Sequence, residues 1–219
     1  MPKKIFIILI CFLLISLAGC ARSPKDPYSN IRNIDSAIGE NVICFGDSLT
    51  SGMGAERGED YPSILRQKLG VPVINAGRSG DTTETALSRL DKVLEKNPKI
   101  VIVELGANDF LTSFQGGWVE ADKSHLKAFE NLKIIVNKIQ NVGVVVIVAG
   151  VKLNSRYDKG YRKLAKETGS VLVPDIMEGI YNNQNLMSPD NRHPNALGYQ
   201  KMADKFILVL EPLLVEMEK

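Results

Sequence analysis

Five short apolar runs that do not alternate with polar residues punctuate the chain, at residues 41–45, 71–75, 99–105, 142–148 and 170–173. A strand with no polar face is covered by helices above and below, which predicts a parallel sheet. Pro72 places the second run at an edge or at a strand start. The fourth is the most hydrophobic and is expected centrally. Between the runs the apolar spacing changes to that of helices. Asp60 can cap a helix with Pro62 in its first turn, an apolar side of Ile64, Leu65 and Leu69, and Gly70 at its end. Residues 81–84 have the form of a capping box before a stripe of Leu87, Leu90, Val93 and Leu94. A loop from Phe110 to Ala121 is expected before a long helix carrying Leu126, Phe129, Leu132, Ile135, Val136 and Ile139 on one side. Further helices are predicted over 158–168 and 196–210. Strand and helix alternate throughout, so the chain reads as one doubly wound α/β sandwich with right-handed crossovers.

The amino end departs from this pattern. Lys3 and Lys4 precede an apolar run, Ile5 to Leu17, that closes on small residues at Leu17-Ala18-Gly19-Cys20. At about thirteen residues the run is shorter than the roughly 17 to 25 of a spanning helix, so it reads as a targeting segment. Its end resembles the bacterial lipobox, which implies cleavage before Cys20 and lipidation of Cys20. Residues 1–19 are thus expected to be a lipoprotein signal peptide, 20–39 a tether, and 40–219 the folded domain. Ala21 lacks the aspartate of inner-membrane retention, which favours the outer membrane facing the periplasm. Loss of Lys3 and Lys4 brings the 27 Lys and Arg level with the 25 Asp and Glu, which removes any electrostatic case for nucleic acid as a partner. Of the three cysteines only Cys44 would remain free, within a core strand, so no disulfide is expected.

The chemistry gathers where the strands end. Ser48, in Gly46-Asp47-Ser48-Leu49, follows the first strand, where open α/β sheets place their ligands. A serine hydroxyl needs a base, and the chain has two histidines. His125 falls within the long helix and reads as a flank residue. His193 lies in Asp190-Asn191-Arg192-His193-Pro194, a proline-pinned loop before the last helix, where Asp190 can turn back onto Nδ1 and leave Nε2 for Ser48. Donors for an oxyanion are offered by the Ser48 N–H, by Gly77, whose missing side chain lets its N–H face an acyl carbon, and by the Asn108 amide. Read singly, Gly77 is equally a turn glycine and Asn108 equally an Asx tie within its loop.

Together these blocks resemble the SGNH, or GDSL, hydrolase family: Gly46-Asp47-Ser48-Leu49, Asn75-Ala76-Gly77, Gly106-Ala107-Asn108-Asp109 and Asp190-Asn191-Arg192-His193-Pro194, in family order. The nearest resemblance is to the multifunctional thioesterase I/lysophospholipase L1/arylesterase group. It implies a three-layer, flavodoxin-like α/β/α fold around a five-stranded parallel sheet. It further implies Ser48 as nucleophile, His193 as base, Asp190 as its partner, and an oxyanion hole of Ser48, Gly77 and Asn108. No metal or cofactor is implied. Asp47, Arg78, Ser79, Phe110, Phe114 and Trp118 are expected to border the substrate, Asp47 chiefly as an acceptor for turn N–H groups. Trp118 is equally a cover for the edge of the long helix. The expected activity is hydrolysis of aryl esters, lysophospholipids or acyl thioesters of short to medium chain. A carbohydrate or cell-wall O-acetyl esterase is the alternative, and a non-catalytic envelope binding module a more distant one.

Overall fold

The protein is described by a computed structural model covering residues 27–113 and 117–219, with side chains in the second stretch from residue 122 onward. The signal segment, Cys20 and Phe114 lie outside the described residues, as does the Trp118 side chain. Five strands, β1 (Asn41–Gly46), β2 (Val73–Asn75), β3 (Pro98–Glu104), β4 (Val145–Ala149) and β5 (Val171–Val173), form one parallel sheet in the order β2-β1-β3-β4-β5. The interior strands β1, β3 and β4 are buried on both faces, as their unalternated composition requires, while the edge strands β2 and β5 are only partly buried. The Pro72 strand is an edge. The strand expected centrally, β4, is interior but one place off centre; β3 holds the middle because the order reverses between β1 and β3.

Helices cover both faces. One face packs α2 (Tyr61–Leu69) and α8 (Ala196–Glu216) on Val42, Cys44, Ile100 and Ile102. The other packs α3 (Thr83–Leu87), α4 (Leu90–Leu94), α6 (Gly117–Asn141) and α7 (Ser155–Thr168) on Ile43, Phe45, Val101 and Val103. The alternation of β1 and β3 residues between the two layers follows from the period of two in a strand. Asp60 caps α2 by accepting from the Ser63 N–H, and Gly70 ends it in the left-handed region at φ 66°.

Several boundaries differ from those read in the sequence. The single helix expected after residue 81 is two short ones. Thr82, in reciprocal contact with Thr85, caps the first, because the Asp81 carboxylate is held by Arg78 and Arg89. The chain breaks at Arg89, whose guanidinium turns inward to reach the Ala76 and Gly46 carbonyls. The loop expected from Phe110 is in part a helix, α5 (Ala107–Ser113), closed by Thr112 and Ser113 hydroxyls on main-chain carbonyls. Leu126 is 63 % exposed and Ala128 takes the buried position instead, since Leu126 is six residues from Leu132, off the i+3/i+4 face. The last helix runs to Glu216 past Pro212, with Leu210 and Leu213 anchoring it on either side of the missing N–H.

The stretch expected as tether folds onto the domain from residue 28 onward. Ile34 is buried, the Arg32 N–H donates to the Gly169 carbonyl at 2.9 Å, and the Asn33 amide donates to the carbonyls of Gln140 (2.8 Å) and Val144 (2.9 Å). Pro24, Pro27 and the Ser and Asn residues around them masked this in the sequence, although Ile31 and Ile34, three residues apart, both pack on the core. Ile34→Ala is expected to lower stability by about 2 to 4 kcal/mol, the usual cost of truncating a buried isoleucine, in urea denaturation. A loss below about 0.5 kcal/mol, within the ordinary range for surface positions, would mean that this segment does not pack.

Candidate active site

Ser48 opens α1 (Ser48–Ser51), a single turn directly after β1. Asp47 caps it by accepting from the Leu49 N–H at 3.0 Å. As the first residue of the helix, Ser48 has no carbonyl behind it within the helix to receive its own N–H. The turn rests on a carboxyl group that the sequence reading did not single out. Glu104, the last residue of β3, is fully buried, and its Oε2 accepts from Thr50 Oγ1 at 2.8 Å and from the Asp47 N–H at 3.4 Å. Thr50 Oγ1 also lies 2.8 Å from the Tyr61 hydroxyl. Gly46 is needed here because a Cβ would meet Thr50 Oγ1 at 2.0 Å and Glu104 Oε2 at 2.7 Å.

The histidine arrives on a loop that Asp190 organises. Asp190 Oδ1 accepts from Ser188 Oγ (2.6 Å), the Arg192 N–H (2.9 Å) and the His193 N–H (3.0 Å). Asn191 takes φ 54°, a left-handed conformation that asparagine tolerates. The loop is closed by the Ser188 N–H donating to the His193 carbonyl and by a bridge between Met187 and Pro194. Asp190 Oδ2 then lies 2.6 Å from His193 Nδ1, and His193 Nε2 lies 2.9 Å from Ser48 Oγ. Partial desolvation tends to raise the Asp190 carboxyl, but the hydrogen bonds from His193, Ser188 and the two main-chain N–H groups override it and hold the group well below the usual carboxylate range. Two further contacts fix this loop against the serine turn. Tyr199 Oη donates to the Met53 carbonyl at 2.7 Å, and Gly54, at φ 93°, lets the backbone pass where a Cβ would meet the Pro194 carbonyl at 2.7 Å.

Of the expected donors, the Asn108 amide and the Gly77 N–H have their hydrogen-bonding capacity occupied internally. Asn108 does not tie its own loop; its Nδ2 donates to Asp47 Oδ2 (3.2 Å) and to the Asp81 carbonyl (2.9 Å) while lining the cleft beside Ser48. The Gly77 N–H donates to Asn75 Oδ1 at 2.9 Å. Gly77 is required for a reason different from the one anticipated: a Cβ would sit 2.3 Å from the Ser51 nitrogen, so two backbones meet there.

Around Ser48 lies a cleft of about 270 Å³. Asp47, Ser79 and Asn108 border it, as do Leu49, Met53, Leu111, Val151 and Tyr181. Arg78 and Phe110, expected there, do not line it. Arg78 is drawn to Asp81, and Phe110 packs edge-on to Tyr157 at 5.3 Å because the helical phase of α5 turns it inward and Leu111 outward. A helical rather than looped reading of residues 107–113 would have selected Leu111. His125 lies away from the cleft, against Phe129 and Tyr157. A larger cavity of about 440 Å³ adjoins the cleft across Val151 and Tyr181 and presents Lys152, Asp175 and Glu178.

Burial raises the Glu104 carboxyl well above the usual range, and the neighbouring Asp47 carboxylate adds to this. Burial likewise pushes Asp47 up to about 6, against the hydrogen bond from the Leu49 N–H. Glu104 is fully enclosed and no cation among the described residues is paired to it, so both causes favour its protonated form. A carboxyl that holds its proton only when folded makes the fold take up a proton above the unfolded value of about 4.3, so stability falls as pH rises from there.

The model of the GDSL-like lipase/acylhydrolase family matches residues 44–201. The "Thioesterase 1/protease 1/lysophospholipase L1" of Escherichia coli K12 is 30% identical over 189 residues, covering 81% of this chain and 86% of that one. "Esterase TesA" of Pseudomonas aeruginosa is 27% identical over 192 residues, covering 81% and 91%. The crystal structure of the psychrotrophic esterase EstA from Pseudoalteromonas sp., inhibited by monoethylphosphonate, superposes with a TM-score of 0.69 at 27% identity, covering 80% of this chain and 98% of that one.

Glu104→Gln keeps an acceptor for Thr50 and the Asp47 N–H and carries no titrating proton. It is expected to flatten the pH dependence, so that its stability relative to the parent improves between pH 5 and 8, by at most about 1.4 kcal/mol per pH unit. Glu104→Ala is expected to cost about 3 kcal/mol through the cavity and the unpaired donors. Denaturation curves at both pH values read these differences, and a Glu104→Gln protein whose stability relative to the parent is the same at pH 5 and pH 8 would show that Glu104 is ionised in the fold.

Proposed function

Because the chain belongs to the GDSL-like lipase/acylhydrolase family and is a serine ester hydrolase, we propose that Ser48 is its nucleophile, His193 the general base, and Asp190 the group that orients the imidazole. The observation that carries this reading is the unbroken relay of 2.9 Å from Ser48 Oγ to His193 Nε2 and 2.6 Å from His193 Nδ1 to Asp190 Oδ2. Ser48 Oγ attacks the ester carbonyl and its proton passes to Nε2. The carbonyl electron pair moves onto oxygen. As the tetrahedral intermediate collapses, the C–O bond to the alcohol breaks and the alcohol leaves with the proton from Nε2. Water repeats the sequence and frees the acid and Ser48.

The negative oxygen is received by the Ser48 N–H and by Asn108 Nδ2, which exchanges an internal acceptor for it, with the Gly77 N–H as a third donor once released from Asn75. Leu49, Met53 and Leu111 offer an apolar wall suited to a short or medium acyl chain. This favours aryl esters, lysophospholipids or acyl thioesters as substrates. One observation favours the second reading, a carbohydrate or cell-wall O-acetyl esterase: the adjoining cavity presents two carboxylates, a lysine and the Tyr181 ring, groups that suit a polar leaving group. The hydrogen-bonded relay argues against a binding module without turnover. Lipidated at Cys20, the protein would act in the bacterial envelope.

Ser48→Ala is expected to abolish both turnover of p-nitrophenyl butyrate and labelling by a fluorophosphonate. Labelling that persists would move the nucleophile elsewhere. Asp190→Asn is expected to lower kcat roughly 10²- to 10⁴-fold with little change in KM, and Asn108→Ala roughly 10- to 1000-fold. Unchanged kcat in either variant would remove that residue from the scheme. Leu111→Ala is expected to lower kcat/KM for octanoyl esters more than for acetyl esters; equal losses would place the acyl chain outside this cleft.

A further inference from the structure

The amino-terminal segment and the catalytic rim lie at opposite ends of the sheet. Arg32 bonds to Gly169, between the end of α7 and the start of β5; Asn33 bonds to Gln140 and Val144, between the end of α6 and the start of β4. The Glu40 and Asn41 N–H groups both donate to the Asn97 carbonyl, just ahead of β3. The close approach of Asn30 to Gly169, where a Cβ would sit 2.7 Å from the Asn30 oxygen, extends the contact back towards residue 28. Every one of these partners stands where a strand begins. Ser48, Asn108 and His193 stand beyond the points where β1 and β3 finish, and all strands run the same way.

Lipidation of Cys20, which belongs to the reading above and on which this inference rests, would leave only residues 21–26 between the acylated residue and the described body. The seven Cα–Cα steps from Cys20 to Pro27 span at most about 25 Å. A folded body of this length is about 42 Å across, taking a radius of gyration near 16 Å. Inverting the body to lower its catalytic rim onto the bilayer would lift the point of entry by about that whole width, well beyond the reach of the linker. Fully extended, the linker allows the sheet to lie close to parallel to the surface, with Ser48 still about 17 Å above it. We propose that the anchor holds the active site facing away from its own bilayer, so that its substrates are esters met from the aqueous side, in solution or on a facing surface, and not the lipids of the leaflet that carries it.

The test uses the full lipidated chain in vesicles of phosphatidylethanolamine and phosphatidylglycerol. Cys44 is buried, so a cysteine introduced at an exposed position can be labelled selectively. Val142→Cys, just before β4, and Leu197→Cys, at the start of α8, mark the two ends of the body; these residues are 60% and 62% exposed. A donor dye at 142 is expected to transfer to a lipid-borne acceptor at least about twice as efficiently as one at 197, and inserting about twenty Gly/Ser residues after Ala21 should erase the difference. Equal or stronger transfer from 197 in the parent would overturn the orientation, and a difference that survives the insertion would overturn linker length as its cause. An unacylated Cys20 by mass spectrometry would overturn the anchor and the orientation with it. In the same vesicles, an aryl ester fixed directly to a lipid headgroup should be cleaved at least about tenfold more slowly by the parent than by the extended chain, with free p-nitrophenyl butyrate cleaved equally by both. Equal rates on the fixed ester would overturn the substrate class, while loss of the free-ester reaction would instead strike at the catalytic assignment.

Discussion

A single buried carboxyl group at the end of β3 supports the site from below. Glu104 receives the Thr50 hydroxyl and the Asp47 N–H, and so clamps the one-turn helix that presents Ser48 onto the middle strand of the sheet. Its enclosure is expensive, since a carboxyl out of water is stable only if it keeps its proton or gains full hydrogen bonding. The compensation is rigidity where a nucleophile needs it. Gly46 follows from the same arrangement, because the space a side chain would take is filled by Thr50 and Glu104. The leading glycine of the serine block is thus a packing requirement imposed by a residue nearly sixty positions later.

The serine turn, the Asn108 turn and the segment after β2 are cross-braced in a second way. Asp81 draws in Arg78 and Arg89, and Arg89 carries the link on to the Gly46 and Ala76 carbonyls while its guanidinium lies over the Phe45 ring at 4.6 Å. Asn108 joins the Asp81 carbonyl to Asp47. Three strand ends thereby share one polar network, and a change in any of them is felt at Ser48. Such networks rigidify when every member is satisfied.

Much of this was legible before coordinates. The unalternated runs identified the five strands, Asp60 and Gly70 marked the two ends of α2, and Pro72 marked β2 as an edge, because caps and prolines act locally. Asp190, His193 and Ser48 could be proposed as partners from chemistry alone, and the fold brings them into hydrogen-bonding contact. What escaped depended on partners distant in sequence. Arg89 reads as a surface residue of an amphipathic helix until Asp81 is seen to draw it inward and break that helix. Glu104 reads as the polar end of a strand. Phe110 reads as a natural wall for the substrate because aromatic side chains are, yet one helical step of about 100° exchanges it for Leu111. Ile31, Ile34 and Ile38 recur three and four residues apart, too short a pattern to say where they dock, and of the three only Ile34 is buried.

The serine and its histidine are 145 residues apart, and the bond from Tyr199 to Met53 that steadies their encounter draws on the last helix. A growing or incompletely threaded chain therefore carries its hydroxyl for most of its synthesis with no imidazole to take its proton. Competence comes late and all at once, when the final segment docks. Activity in this architecture is a report that folding has finished.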